Sequence, residues 1–356
     1  MRIGIYKDTL ANNRGADKAV LALAEGLRER GHEVAVFEKK EFEQRIKEPW
    51  DVVISTGTNE LLEIAAAWGH AALPVRRGQF PIPDSQFPII QQFHTNPKSQ
   101  FKWKRLVRNW KIRHALRHVS AIQVLNERFV PQVAKYGAPV YVIGNWSAYD
   151  GCVLAAKNAK KVIIYPAAFA KGKNQKLLIK AFARISNEFP EWKLRLLGRT
   201  EGKYADECRR LAAKLSGAMG SSRPTGVAGV EGLIEFAGYS NDMASEYASC
   251  AFVAFPSLDE GFPLTIVDAA ASAKPCVMVE DWIGTAAAGG GIVTKPTVGA
   301  YAEGLRRLMA DKELRRRLGE NAREFCAEHF SRAHILDKWE ALLIGYDIQG
   351  SISTTR

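Results

Sequence analysis

Short β-branched apolar runs alternate with amphipathic stretches along this chain, and the alternation runs through twice. Residues 2–7, 33–38, 51–55, 88–93, 121–125 and 140–143 read as strands. The stretch 15–30 reads as a helix, with Ala16, Val20, Leu23, Ala24 and Leu27 on one face and Gly31 as its stop. Helical segments lie between most of the other runs. The pattern then restarts, with strands at 161–165, 192–197, 233–236, 251–255 and 276–279. Helices are expected at 175–187, 205–216, 263–272 and 301–330. Strands that are apolar on both faces belong to parallel sheets covered by helices on both sides. The expected fold class is therefore α/β, with two doubly wound, Rossmann-like parallel-sheet domains facing across a cleft. The expected boundaries are 1–148, 149–330, and a helix at 331–346 that packs back toward the first domain, with a linker near 146–160. The proline-rich stretch 74–88, the Gly/Ser-rich stretch 216–232 and the polar tail beyond 346 read as loop. Open sheets of this kind bind ligands at the carboxyl ends of their strands.

Charge and cysteine usage narrow the class. The 356 residues hold 50 Lys and Arg against 38 Asp and Glu, a net charge of +12. Such an excess suits anionic partners: nucleic acid, sugar nucleotides or an anionic membrane surface. No apolar run approaches the roughly 18 residues of a membrane span. The opening MRIGIYK enters a strand-like run without the apolar core of a secretion signal. Cys152, Cys208, Cys250, Cys276 and Cys326 are dispersed, with no CxxC pair, so neither a disulfide framework nor a zinc site is expected. The seven histidines form no HExxH. A reducing cytoplasm is the expected location.

Residues 254–275, AFPSLDEGFPLTIVDAAASAKP, concentrate the chemistry. They read as a strand end, a loop and a helix starting near Pro263, where a missing N–H costs nothing. Glu260 and Gly261 precede that start, and free N–H groups at a helix start suit a diphosphate. Asp268 follows Glu260 by eight residues, about 12 Å along the helix axis, so one carboxylate stands at the mouth and the other two turns down. Two carboxylates so placed could accept hydrogen bonds from the hydroxyls at the two ends of a nucleotide sugar. An ordinary helix cap with acids near the positive dipole end explains the same residues.

This stretch resembles the E-x7-E signature of the retaining family 4 glycosyltransferases, which have the GT-B fold. Pro256, Ser257, Glu260, Gly261, Phe262 and Ala269 match, and Asp268 stands where the family has Glu. The resemblance extends along nearly the whole chain. Gly15 and Ala16 match the family's opening Gly-Gly-Ala-Glu, with Arg14 and Asp17 departing from it. His94, after the 88–93 run, matches a histidine that the resemblance places at the donor sugar. Lys173 matches the lysine of an Arg-x4-Lys pair for the diphosphate; Ala168 replaces the arginine, and Lys171 nearby is either a substitute cation or a solvated loop lysine. Gly198 and Arg199, and Gly238 and Tyr239, resemble the nucleotide-base loops. For 282–291 no structure is assigned.

The resemblance implies sugar transfer from a nucleotide-diphosphate sugar to an acceptor hydroxyl, with retained anomeric configuration, no metal and no cofactor beyond that co-substrate. It implies Glu260 and His94 at the reaction centre and Asp268 at the ribose. Lys173, Gly15, Gly261, Phe262, Leu264 and Thr265 would lie at the diphosphate. The implied partners are a nucleotide sugar and a glycan or lipid-linked acceptor, in cell-surface polysaccharide, lipopolysaccharide or glycolipid synthesis. The alternative is a non-catalytic relative that binds a nucleotide sugar or glycan without transfer, favoured by Ala168 and Asp268. Residues 98–118 hold eight Lys or Arg, two His and no acid. Trp103, Leu106, Val107 and Trp110 make one helical stripe there, beside Lys102, Arg105 and Arg108. This reads as a contact with an acceptor or with the anionic inner face of the plasma membrane. An ordinary amphipathic helix with its apolar side inward is the second reading. Nucleic acid is not expected, since no recognised binding module is present.

Overall fold

The computed structural model describes residues 1–10, 15–67, 88–101, 105–151, 160–219 and 232–345. The stretch 74–87, most of 220–232 and the tail from 346 lie outside the described residues, as do Arg14, Lys102 and Trp103. The chain divides into two compact units: Met1–Asn145 with the segment from Ala333 onward, and Trp146–Arg332.

The first unit carries strands β1 (Arg2–Tyr6), β2 (Glu33–Phe37), β3 (Val52–Ser55), β4 (Ile89–Phe93), β5 (Ala121–Val124) and β6 (Val140–Val142). All pair in parallel, in the order β2-β1-β3-β4-β5-β6. Its helices are α1 (Gly15–Glu29), the short α2 (Phe42–Arg45), α3 (Thr58–Ala67), α4 (Leu106–Ala115) and the short α5 (Val130–Val133). Val20, Leu23, Ala24 and Leu27 turn one stripe of α1 into the core.

The second unit holds β7 (Val162–Pro166), α6 (Gln175–Ile185), β8 (Lys193–Leu197), α7 (Lys203–Met219), β9 (Ile234–Gly238), α8 (Met243–Ser249), β10 (Phe252–Phe255), α9 (Leu264–Ala271), β11 (Cys276–Met278), β12 (Gly291–Val293), α10 (Val298–Ala310) and α11 (Lys312–Phe330). Its parallel sheet runs β12-β11-β10-β7-β8-β9. The core is built on the fully buried Ile163, Ile164, Phe252 and Val253.

Three elements differ from the sequence reading. The stretch expected as one helix at 301–330 is two, because Asp311 leaves the helical conformation and its Oδ1 accepts from the Leu314 amide at 2.8 Å. A side-chain cap inside a long amphipathic run has no periodicity signal. The three-residue β12 and the helix α8 were too short to stand out of their surroundings. The last helix, α12 (Arg332–Leu343), packs on α1 within the first unit. A Cβ at Gly26 would come within 2.7 Å of Leu336, so glycine there permits the close approach. Arg30 pairs with Asp337 at 2.7 Å and Glu340 at 2.6 Å across the same contact.

Candidate functional site

In the second unit the strand order reverses between β7 and β10, which is where open sheets of this type bind ligands. Two loops leave the carboxyl edge there. After β7 the chain makes a tight turn at Lys171–Lys173, and Asn174, with φ of 55°, starts α6. After β10 it runs through 256–263 into α9. These loops are fastened together. The Gly172 carbonyl accepts from the Leu258 amide at 2.8 Å and from Ser257 Oγ at 3.3 Å. Tyr165 donates its hydroxyl to the Lys173 carbonyl at 2.8 Å, and Gln175 Nε2 donates to the Ala168 carbonyl at 2.9 Å. Burial, and then the Glu260 charge, hold the Tyr165 phenol well above its ordinary pKa, so it stays a donor.

This stitching brings Lys173 onto Glu260. The ammonium donates to Oε1 at 2.6 Å and to Oε2 at 2.8 Å. The Glu260 side chain is 9% exposed and that of Lys173 30%. An ammonium has three donors. Two lie on Glu260, and the third has no partner among the described residues.

Helix α9 begins at Leu264, with Pro263 in the cap position. Glu260 therefore lies in the loop, and the interval to Asp268 is not two helical turns as the spacing suggested. Thr265 Oγ1 donates to the Pro166 carbonyl at 3.0 Å, pinning the first turn of α9 to the end of β7. The Leu264 amide donates to the Phe262 carbonyl at 3.0 Å. The Phe262 ring packs edge-on against Phe330 at 5.5 Å, so that side chain serves packing and Gly261 is its half-buried neighbour in the loop. Asp268 Oδ1 accepts from Ser147 Oγ at 2.8 Å.

The two glycine loops meet: the Gly198 amide donates to the Gly238 carbonyl at 2.7 Å. Gly198 has φ of 138°, and a Cβ there would lie 2.2 Å from the Ala167 carbonyl oxygen. Only glycine fits. Arg199 and Tyr239 beside these glycines are exposed, as are Lys171 and Ala168.

In the first unit the order reverses between β1 and β3. Lys7 follows β1, with its ammonium 3.9 Å from Asp17 and 3.6 Å from Glu60. Both carboxylates are buried. Asp17 is thus part of a charge cluster, whose other members Glu60 and Lys7 carried no sequence signal. His94 follows β4 beside them, along a polar cavity of about 190 Å³ that Lys7, Ala16, Thr56, Glu60 and Gln92 also line. Both its ring nitrogens are shut from solvent and have no hydrogen-bond partner among the described residues. Burial, and then the Lys7 charge, push its pKa down to about 3, so the ring is neutral at ordinary pH. Gly15 is exposed at the first position of α1.

The basic stretch departs from the amphipathic reading, and one of its cations is tied into the fold. Its helix spans only α4, preceded by a turn at Pro97–Gln100. Asn109, Ile112 and Ala115 face inward, while Leu106, Val107 and Trp110 are 75%, 72% and 55% exposed. The apolar stripe is thus outward, against the amphipathic reading. Arg108 is not a surface cation: it donates to the Gln100 carbonyl at 3.0 Å, Thr58 Oγ1 at 3.1 Å and Asn59 Oδ1 at 2.7 Å. Arg105 and Lys111 are exposed. Among the described residues, no helix is long and apolar enough to cross a membrane.

Residues 160–311 match the family model described as glycosyl transferases group 1. That segment carries Lys173, Glu260 and Asp268. Within the curated relatives, an exopolysaccharide phosphotransferase of Streptomyces coelicolor is 30% identical over 188 residues, 51% of this chain and 18% of the relative. The lipopolysaccharide core biosynthesis glycosyltransferase LpsE of Rhizobium meliloti is 27% identical over 215 residues, 57% of either chain. The matches therefore span less than two thirds of these relatives' length. The crystal structure of HepE from Anabaena with UDP and glucose superposes with a TM-score of 0.73, covering 97% of this chain and all of that one at 17% identity. At that identity the likeness is one of fold. Two six-stranded parallel sheets with flanking helices are the GT-B glycosyltransferase architecture that the sequence led us to expect.

Proposed function

We propose that this chain is a metal-independent, retaining glycosyltransferase that moves a sugar from a nucleotide-diphosphate donor to a hydroxyl of a cell-surface glycan or lipid-linked acceptor. The contact of Lys173 with Glu260 at a strand-order reversal carries the reading. The third Lys173 donor and the start of α9 neutralise the leaving diphosphate in place of a metal. Glu260 orients the donor sugar through its hydroxyls; in the first unit, the neutral His94 ring is suited to a hydroxyl group as donor and acceptor. Gly261, Leu264 and Thr265 line the diphosphate. The glycines at 198 and 238 let a base approach the backbone, with Arg199 and Tyr239 beside it. The acceptor oxygen bonds to the anomeric carbon on the face from which the diphosphate departs. The acceptor proton passes to that phosphate, so no carboxylate acts as general base.

The exposed Leu106, Val107 and Trp110, flanked by Arg105 and Lys111, support docking of α4 on an anionic membrane face, where a lipid-linked acceptor resides. A non-catalytic binder is the second reading, favoured by Ala168 in place of a phosphate-binding arginine. A screen of UDP, GDP and ADP sugars for turnover separates the two. The transferase reading expects hydrolysis or transfer from one donor class, and loss of at least about a hundredfold with Glu260→Ala in a folded protein. Normal turnover by that variant, or binding of donors with no turnover under any condition, refutes it.

A further inference from the structure

We infer that the first unit holds a glycan subsite of its own, selective for uncharged glycosyl units over acidic ones, in the cavity lined by Lys7, Glu60, Gln92 and His94. The inference deepens the transferase reading and rests on it for the class of ligand.

The cavity lies at the carboxyl edge of the first sheet, beside the strand-order reversal between β1 and β3. Some of its polar side chains satisfy one another. Thr58 Oγ1 donates to Gln100 Oε1 at 3.2 Å, and Gln100 Nε2 donates to Thr95 Oγ1 at 2.9 Å. The other four do not. Gln92 Oε1 and both His94 ring nitrogens are buried with no hydrogen-bond partner among the described residues. The Lys7 ammonium stands 3.6 Å from Glu60 and 3.9 Å from Asp17, beyond hydrogen-bond length. Glu60 Oε1 accepts from the Asp8 amide at 3.2 Å and faces Lys7, while Oε2 has no hydrogen bond among the described residues. A Cβ at Gly57 would fall 2.5 Å from that Oε2, so the glycine leaves the oxygen its room. Buried polar groups are almost always bonded, so these side chains around one cavity mark a polar ligand or a water cluster among them. The cavity measures about 190 Å³, against the roughly 10–15 Å³ that one water needs. Its lining residues Asn59 and Thr95 are exposed, so it opens to solvent.

The chemistry of these groups selects the ligand. Lys7 brings only donors, the Glu60 carboxylate and Gln92 Oε1 only acceptors, and the neutral His94 ring one of each. A hydroxyl both donates and accepts, so neighbouring hydroxyls of a sugar ring can serve all four. A carboxylate or phosphate only accepts, and would set its oxygens against Gln92 Oε1 and Glu60. Charge points the same way. Two buried carboxylates, Asp17 and Glu60, outnumber the one ammonium between them. Arg108, the next cation, does not line the cavity and gives its donors to Gln100, Thr58 and Asn59. An acidic ligand therefore enters against an excess of like charge, which disfavours it strongly in a desolvated site.

The test is charge discrimination by the full chain without nucleotide. Methyl glucoside, galactoside and mannoside, each beside its uronic acid, are titrated to about 50 mM by ligand-observed NMR. At least one neutral glycoside is expected to bind, about tenfold or more tighter than its uronate. Glu60→Gln keeps the shape and removes the charge; it should cut that ratio to about threefold or less, mainly by strengthening the uronate. Gln92→Met strands no charge and removes one acceptor; it should weaken the neutral glycoside by about threefold or more. Thermal unfolding checks both variants, and if Glu60→Gln does not fold, the parent ratio and Gln92→Met still decide. A merely structural Glu60 would shift both ligands together and leave the ratio unchanged, which overturns the inference. Uronates bound as tightly as neutral glycosides overturn it as well. So does no binding of any glycoside, the result for a cavity that holds water alone. Titration with UDP, GDP and ADP tests the donor reading separately: a nucleotide bound without any glycoside removes this inference and leaves the transferase reading standing, and a glycoside bound without any nucleotide does the reverse.

Discussion

Replacing Lys173 by methionine isolates the contact on which the donor site is built. The ammonium sits 2.6 and 2.8 Å from the two Glu260 oxygens. Unit charges about 3 Å apart attract by roughly 5 kcal/mol at an effective dielectric constant near 20. Water reaches the lysine, whose side chain is 30% exposed, and screens part of this. Fully exposed pairs contribute about 0–1 kcal/mol. Breaking a fully buried pair costs about 3–5 kcal/mol. Glu260, at 9% exposure, is the partner left stranded, so Lys173→Met should cost about 2 kcal/mol. For a unit of this size that lowers Tm by about 4–8 °C. Glu260→Gln leaves a lysine that can turn to water and should cost under about 1 kcal/mol. The double variant strands no charge and should be as stable as Glu260→Gln alone, giving a coupling energy of about 2 kcal/mol. Thermal unfolding of the four proteins at neutral pH measures the cycle. A Lys173→Met protein melting within about 1 °C of the parent, or strictly additive costs, would refute the reasoning.

Two further outcomes are expected. The neutral His94, with pKa about 3 in the native state against about 6.5 unfolded, makes the unfolded chain the stronger proton binder between those values. Its contribution is fully present above about pH 6.5 and is lost as pH falls toward 3, at up to roughly 1.4 kcal/mol per pH unit. Urea unfolding across that window should therefore show a shallower acid loss for His94→Asn than for the parent; superimposable curves would count against the buried neutral ring. For α4, changing Leu106, Val107 and Trp110 together to serine should weaken co-sedimentation with phosphatidylglycerol-containing vesicles by more than about tenfold, since each buried apolar side chain contributes about 1.5–3 kcal/mol. Binding equal to the parent would reject the membrane contact.

Much of the fold was legible because its signal is local. Strand-forming runs such as Ile89–Phe93 and the apolar face of α1 carry their periodicity in the sequence, and eleven of the twelve strands among the described residues fall where those runs lie. The exceptions follow from length and capping: β12 has three residues, and the break at Asp311 depends on one side-chain contact. The candidate donor residues Lys173 and Glu260 were recognisable from their motifs, though their contact was not. They stand 87 positions apart, and only the pairing of β7 with β10 and the shared Gly172 carbonyl bring them together.

Other features belonged to tertiary structure alone. Arg108 reads as one more surface cation until α3 and the turn at Pro97–Gln100 close around it. Lys7, Glu60 and Ser147 have no pattern around them, because their roles come from neighbours distant in sequence. Sequence by itself determined the two α/β units and the residue types at the donor motif, since backbone periodicity and turn chemistry act over a few residues. Which carboxylate meets which cation, and which hydroxyl turns toward Asp268, was decided by strand order, because hydrogen bonds and ion pairs act over a few ångströms in space whatever their separation along the chain.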